Sequence, residues 1–390
     1  MKKCLMAIFL LIVFAFAVYA QSSQQPPTSP WGPGVEVQPA PGWPPAPTPQ
    51  PPSTQPPPSP PQPQPEASTE QHISDVQQTE NTRKANELIK TGIALLGKKR
   101  FQEALNAFKE AETLDATLPQ APFGIGMALL GLNKPAEAVE AFERARKLKP
   151  TEANIIYYLG LSYEQAGDNS KAVESYLEAL KLKPDFEKCR NSLIALYMEN
   201  EKWEEALIQL NESIKINPNV AVKFIMRGDV YHKLGKNDEA KTDYTKALSL
   251  FPGAEGAIIG IARIDAITGK HQEALKAIEP VIKKFPQDPK PRLVKACALF
   301  HAGKTQEAMA EIETAVKLGE KNYFVLLEAS EYLIEAKQYE KAIELLKLAS
   351  QLKPKSPTPH VLLASIYNTL GKTQEAEEER EIIKNLGTSP

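Results

Sequence analysis

Cysteine is almost missing from this chain: three residues in 390, and one of them, Cys4, lies inside an apolar N-terminal run. A disulfide framework is thereby excluded, and Cys189 and Cys297, separated by three helical units in the reading below, are expected as free, partly buried thiols. Histidine is nearly as scarce. His72, His232, His271, His301 and His360 never stand at metal-ligand spacing from one another or from a cysteine, so no metal site is expected. An excess of charge of one sign is missing too: 46 basic residues face 48 acidic ones, for a net charge of -2, and no basic stripe stands out. That balance gives no long-range field for nucleic acid. Walker loops and nucleophile elbows are absent, and Gly124-Ile125-Gly126, the nearest thing to a dinucleotide loop, falls within a helical pattern with no strand before it. No cofactor, no small-molecule substrate and no catalytic residue are therefore expected.

What the chain does have is unevenly spread. Met1-Lys2-Lys3, an apolar run from Cys4 to Val18 and small residues up to Ala20 have the form of a secretory signal, which predicts residues 1–20 as a leader and a periplasmic or secreted product. The alternative is an uncleaved inner-membrane anchor through residues 4–20, near the lower length limit for a span, and only then would the membrane be a partner. Of the 34 prolines, 19 fall between Gln21 and Glu66, where the only charges are Glu36 and Glu66. Such a segment has nothing from which to build a core and favours extended polyproline II, so residues 21–66 are read as a disordered spacer. Trp31 and Trp43 within it have no local partner and could dock elsewhere. Residues 67–84 turn polar and proline-free; they read as a linker or a short capping helix, with Ser74-Asp75 as its start signal.

From Ala85 onward one pattern repeats. An alanine preceded by Glu or Lys recurs at Ala104, Ala138, Ala172, Ala206, Ala240, Ala274, Ala308, Ala342 and Ala376, each 34 residues after the last. The units are 85–118, 119–152, 153–186, 187–220, 221–254, 255–288, 289–322, 323–356 and 357–390. Gly92, Gly126, Gly160 and Gly228 put a small residue midway along the first helix of their units, where a second helix can approach closely at its alanine. Four positions beyond that alanine stands a bulky wedge: Phe108, Phe142, Tyr176, Leu210, Tyr244, Ile278, Ile312 or Leu346. Prolines such as Pro150, Pro184 and Pro218 end the second helix, and Gly167, Gly235, Gly269, Gly303 and Gly371 supply the turn between helices.

Leu159-Gly160-Leu161-Ser162-Tyr163, with Ala172, Tyr176, Ala179 and Pro184, closely resembles the tetratricopeptide repeat family, and the resemblance runs over residues 85–390. It implies an all-α, right-handed superhelical solenoid of nine helix-turn-helix repeats whose first helices line a concave groove that takes protein or peptide partners. Arg380, within Glu377-Glu378-Glu379-Arg380-Glu381, replaces the wedge in the ninth unit and is read as the polar end of the array, with no further domain. Family members that hold acidic chaperone tails carry lysine and asparagine at the fifth and ninth positions of a unit. Here Ile89 and Ile93 occupy those places, so that function is not expected.

The resemblance places the second, fifth, ninth and twelfth positions of each first helix in the groove. In the first three units they are apolar: Ile89, Ile93 and Leu96, then Phe123, Met127 and Leu130, then Tyr157 and Leu161. A hydrophobic peptide or helix site is expected there, unless the stripe is consumed by the array itself. The middle turns polar with Asn191, Asp229, His232 and Arg263, and Gly256 and Gly260 are read as making room beside them. Glu328, Glu331 and Glu335 form an acidic ridge, expected to be a solvated face. Pro280, Asp265, Pro289-Lys290-Pro291 and Glu320 in place of a closing proline predict a flexible joint between units six and seven. The function expected is that of a non-enzymatic scaffold or adaptor in the cell envelope. The alternative is an accessory subunit that recruits a separate envelope enzyme, with the proline and tryptophan spacer as a docking or autoinhibitory segment.

Overall fold

The structure, a computed structural model, describes residues 67–386, with side chains from Val76 onward; the leader, the spacer with Trp31 and Trp43, and residues 387–390 lie outside the described residues. Among the described residues every regular element is an α-helix. Nine first helices are α1 (Ala67–Gly97), α3 (Gln120–Gly131), α5 (Ala153–Gln165), α7 (Glu187–Glu199), α9 (Ala221–Lys233), α11 (Glu255–Ile267), α13 (Pro289–His301), α15 (Tyr323–Glu335) and α17 (Thr358–Thr369). Their partners are α2 (Phe101–Leu114), α4 (Pro135–Leu148), α6 (Asn169–Leu182), α8 (Trp203–Ile216), α10 (Asn237–Leu250), α12 (His271–Lys284), α14 (Thr305–Leu318), α16 (Tyr339–Leu352) and α18 (Thr373–Asn385).

Each hairpin turns at one fixed place. Gly167, Gly235, Gly269, Gly303 and Gly371 take φ between 71° and 87°, and Lys99, Asn133, Glu201 and Lys337 hold the same left-handed conformation at the same point of the other four units. Five units meet the steric demand of the turn with glycine and four force a side chain through it. At the other end of a unit the backbone N–H of Lys149, Lys183 or Lys353 still bonds the carbonyl four residues back, and the proline that follows cannot continue the helix. Where the seventh unit lacks that proline, Gly319 closes α14 and the Asn322 side chain accepts the Phe324 and Val325 amides to start α15.

The wedges lock the stack. Phe108 is 1% exposed and its ring fills the space left by two glycines, Gly92 of its own unit and Gly124 of the next, where an added β-carbon would come within 2.7 and 2.4 Å of it. Gly126 meets Phe142, Gly160 meets Tyr176, and Gly228 and Gly260 both meet Tyr244. The paired glycines Gly124 and Gly126 are thus packing residues, one facing each neighbouring wedge.

Residues 67–84 are helical: α1 runs unbroken through Ser74-Asp75 and on into the first unit as one helix of 31 residues, so the helix expected here is continuous with the first repeat. α12 spans His271–Lys284 with Pro280 inside it. Proline costs one hydrogen bond, and here it sits on the exposed side of the helix. On the opposite side Ile278 and Ile282 join Ala262, Ala266, Val294, Cys297 and Ala298 in a single buried cluster across the junction of units six and seven. Asp265, the other irregularity, is held by Lys241 at 2.6 Å.

Candidate partner-binding groove

The first helices of successive units pack directly on one another, α1 on α3, α3 on α5, α9 on α11, α11 on α13 and α13 on α15. They line the tighter, concave side of the array, and the groove chemistry is decided by what their inner faces carry.

In units one to three that face is apolar but only partly open. Ile93 is 48% exposed, and Phe123, Met127, Leu130 and Leu161 are half-buried. Two of the expected groove residues belong to the core instead. Ile89 is 5% exposed among Ala85, Ala104, Leu105 and Phe108, and Tyr157 is 2% exposed, ringed by Tyr158, Tyr176 and Phe186. Each touches the wedge side of its own hairpin as well as the groove, which a fifth-position spacing alone does not reveal. Phe123 is braced edge-on against Phe142 and Tyr158, both at 5.5 Å between ring centres. The Lys188 ammonium sits over Tyr157 and Tyr158, at 5.2 and 5.0 Å from their ring centres, and closes the apolar stretch with a positive charge.

The wedge residue accounts for two carboxylates of the groove, Glu164 and Asp229. A buried phenylalanine needs nothing from its neighbours, but a buried tyrosine hydroxyl needs a partner. Opposite Phe108 and Phe142 the ninth and twelfth positions hold Ile93, Leu96, Met127 and Leu130; opposite Tyr176 the twelfth is Glu164, and opposite Tyr244 the ninth is Asp229. Tyr176 donates to Glu164, and Tyr244 donates to Asp229 at 2.7 Å. Burial raises the Asp229 carboxyl above its ordinary range, against the opposing pull of the Tyr244 hydroxyl and of Arg263.

Arg263 is likewise engaged. It pairs with Glu328 at 3.0 Å, two units on, and Tyr332 donates to the same carboxylate at 3.1 Å. Burial opposes both charges, yet the pairing wins: the Glu328 carboxyl lies below its ordinary range and the Arg263 guanidinium above its own. The Arg263 Nε is buried without a hydrogen-bond partner. His232 shares an Nδ1 contact of 2.9 Å with the Asn237 side chain, and burial first, then Arg263, lowers its affinity for a proton. Asn191 is half-buried on α7. Gly260 does not make room for a ligand: its open side is filled by the Tyr244 ring, and Gly256 faces Ile225. Of the acidic ridge, Glu328 belongs to the groove interior, Glu335 contacts His301 at 3.3 Å, and Glu331 remains exposed.

Three features escaped the reading of the sequence. The Arg263 to Glu328 bridge joins residues 65 apart, and the His271 and His301 rings approach to 6.0 Å across two units. The turn of unit four is bonded to units eight and nine through Glu201. The only signal for any of them is the fixed 34-residue register, which brings near-equivalent positions of neighbouring units side by side but does not say how far the array coils. Burial pushes both thiols, Cys189 and Cys297, up to about 12, so neither is a thiolate near neutral pH.

Comparison with known proteins agrees with this geometry. Tetratricopeptide repeat models match residues 123–187, 260–323 and 333–380, and a tetratricopeptide repeat-like domain model matches 162–269. A tetratricopeptide repeat protein from Parabacteroides merdae superimposes with a TM-score of 0.53 at 21% identity, covering 60% of this chain and 93% of its own. PilF of Pseudomonas aeruginosa has a TM-score of 0.46 at 15% identity, over 56% of this chain and 99% of its own. A tetratricopeptide repeat and J domain-containing co-chaperone of Fusarium oxysporum is 25% identical over 183 residues, 45% of this chain and 35% of that protein's length. Family models that jointly span more than half of the chain, a fold shared with a solved relative and wedge-and-glycine packing in register every 34 residues lead to one conclusion: the chain belongs to the tetratricopeptide repeat family.

Proposed function

We propose that the protein is a non-catalytic interaction scaffold that takes an apolar peptide or helix of a partner protein in the groove of its first three units. The observation that carries this reading is the row of Ile93, Phe123, Met127, Leu130 and Leu161 on the concave side, with Ile93 exposed and the other four half-buried. An amphipathic helix with anchors one turn apart would match the spacing of that row. The signal-like residues 1–20 support export to the envelope, with a mature chain that starts at Gln21.

The test begins with capture of a partner from envelope extract by the mature chain, and N-terminal sequencing of that chain from its source checks the cleavage. Affinity for the captured partner is then measured for Ile93→Glu combined with Met127→Glu. Loss of at least about tenfold, with helicity retained, is expected when two apolar anchors become charged. Unchanged affinity would sink the assignment.

A further inference from the structure

The contacts that reach farthest along the chain are made by the turn of unit four. Glu201 holds one of the left-handed positions, at φ 57°, and its carboxylate is surrounded by hydroxyls from the far end of the array. Tyr323, the first residue of α15, donates to it at 2.6 Å, Ser356 at 3.2 Å and Thr358, the first residue of α17, at 2.6 Å. The Ser356 hydroxyl also lies 2.8 Å from that of Tyr323, and its single proton is shared between that oxygen and Glu201. Beside them Lys353 donates to the Glu199 carbonyl at 2.7 Å, with its ammonium lying over the Tyr323 and Phe324 rings at 4.6 and 4.4 Å. Tyr323 is 4% exposed, and its hydroxyl has Ser356 of its own unit and Glu201 of unit four within reach.

These bonds cross the array instead of following it. In a simple stack each repeat touches its neighbours alone, yet here unit four is bonded to units eight and nine. The groove between them carries Asp229, Arg263 and Glu328, and the Arg263 to Glu328 bridge runs across it, while Lys233 and Glu331 stay exposed. Units one to three lie outside the closure.

We propose that Glu201 and the Glu199 carbonyl form a latch that holds units four to nine closed on themselves. Two short hydroxyl bonds, from Tyr323 and Thr358, converge on one carboxylate, and the charged Lys353 donor takes the nearby Glu199 carbonyl, so several bonds between distant units meet in one small place. Such a contact has two discrete states, made or broken, as a conformational switch requires. The proposal is independent of which partner the apolar strip binds.

The turn itself supplies a clean variant. Glycine occupies the same position in five other units, so Glu201→Gly removes the latch carboxylate while suiting the left-handed backbone better than glutamate does. Spin labels at Glu204 and Lys355, both exposed and on opposite sides of the contact, report the gap by double electron–electron resonance in the full mature chain. A single narrow distance is expected for the native latch; Glu201→Gly, and more mildly Tyr323→Phe, is expected to lengthen and broaden it, with a matching rise in radius of gyration by small-angle scattering. An unchanged distance distribution in Glu201→Gly, in a chain whose helicity is native, overturns the proposal. So does a native chain that is already broad and open. A disulfide introduced by Glu201→Cys with Thr358→Cys restores the short distance if the latch is the cause, and reduction reverses it; failure of that pair to cross-link under oxidation also counts against the closure.

Discussion

Units one and two and units three and five use the same wedge position, but the first pair fills it with Phe108 and Phe142 and the second with Tyr176 and Tyr244. One hydroxyl separates them. In the first pair the wedge is complete once its ring is packed, and the groove residues above it are free to be apolar. In the second the ring brings a buried hydroxyl that must be satisfied, and the groove supplies Glu164 and Asp229 to do so. The polarity of the mid-groove is thus partly a structural consequence of core composition. An acidic residue in a repeat groove is evidence for a ligand only after the wedge beneath it has been consulted.

The comparison can be broken at several points. The largest effect is expected from Phe108→Ala, which empties a site shaped by Gly92 and Gly124 and costs about 3–5 kcal/mol. Thermal unfolding should fall accordingly, with amide exchange quickening first in α1, α2 and α3. If exchange instead quickens evenly over all nine units, the wedge does not act locally.

Next comes Arg263→Met, which leaves Glu328 half-enclosed with no cation and costs roughly 3 kcal/mol, whereas Arg263→Met with Glu328→Leu should recover most of the loss. A double variant as unstable as the single one would mean that the pair itself holds units six and eight together. A smaller loss, about 1–3 kcal/mol, is expected for Tyr244→Phe, because Asp229 keeps its burial and loses its donor. Adding Asp229→Leu should return stability close to native and make unit five resemble units one and two. Should Tyr244→Phe alone be silent, the link between wedge and groove polarity fails.

The smallest effect concerns pH. Burial and Arg263 hold His232 below its ordinary value of 6.5, so the unfolded chain binds a proton that the folded one resists. Stability from this group is present above about pH 6.5 and is lost as pH falls below it. The slope of melting temperature against pH over that range should flatten in His232→Gln.

Much of the fold was legible because a 34-residue period admits few solutions. The conserved spacing of Ala172, Tyr176 and Pro184 fixed where helices begin, meet and stop, and the structure keeps that register through all nine units. The site was less legible for a physical reason. A groove position is defined by spacing on one helix, but whether its side chain stays open depends on the curvature of the array and on the wedge behind it. Ile89 and Tyr157 have groove spacing and core burial; Asp229 and Arg263 have groove placement and are already engaged. Contacts between units two to five places apart depend on the coil of the whole array, which no local pattern encodes. Ser74-Asp75 lies within α1 because a good start signal for a helix is also tolerated inside a longer one.

The bonds at Glu201 carry a consequence for how the chain comes apart. A linear row of repeats behaves as a one-dimensional chain, melting inward from its ends because a terminal unit has one neighbour instead of two. Closure between unit four and units eight and nine adds a bond that the row does not have and makes a loop of the segment between them. The C-terminal end then loses its freedom to fray alone, and six units share one fate, so that the melting of this array begins at its N-terminal units.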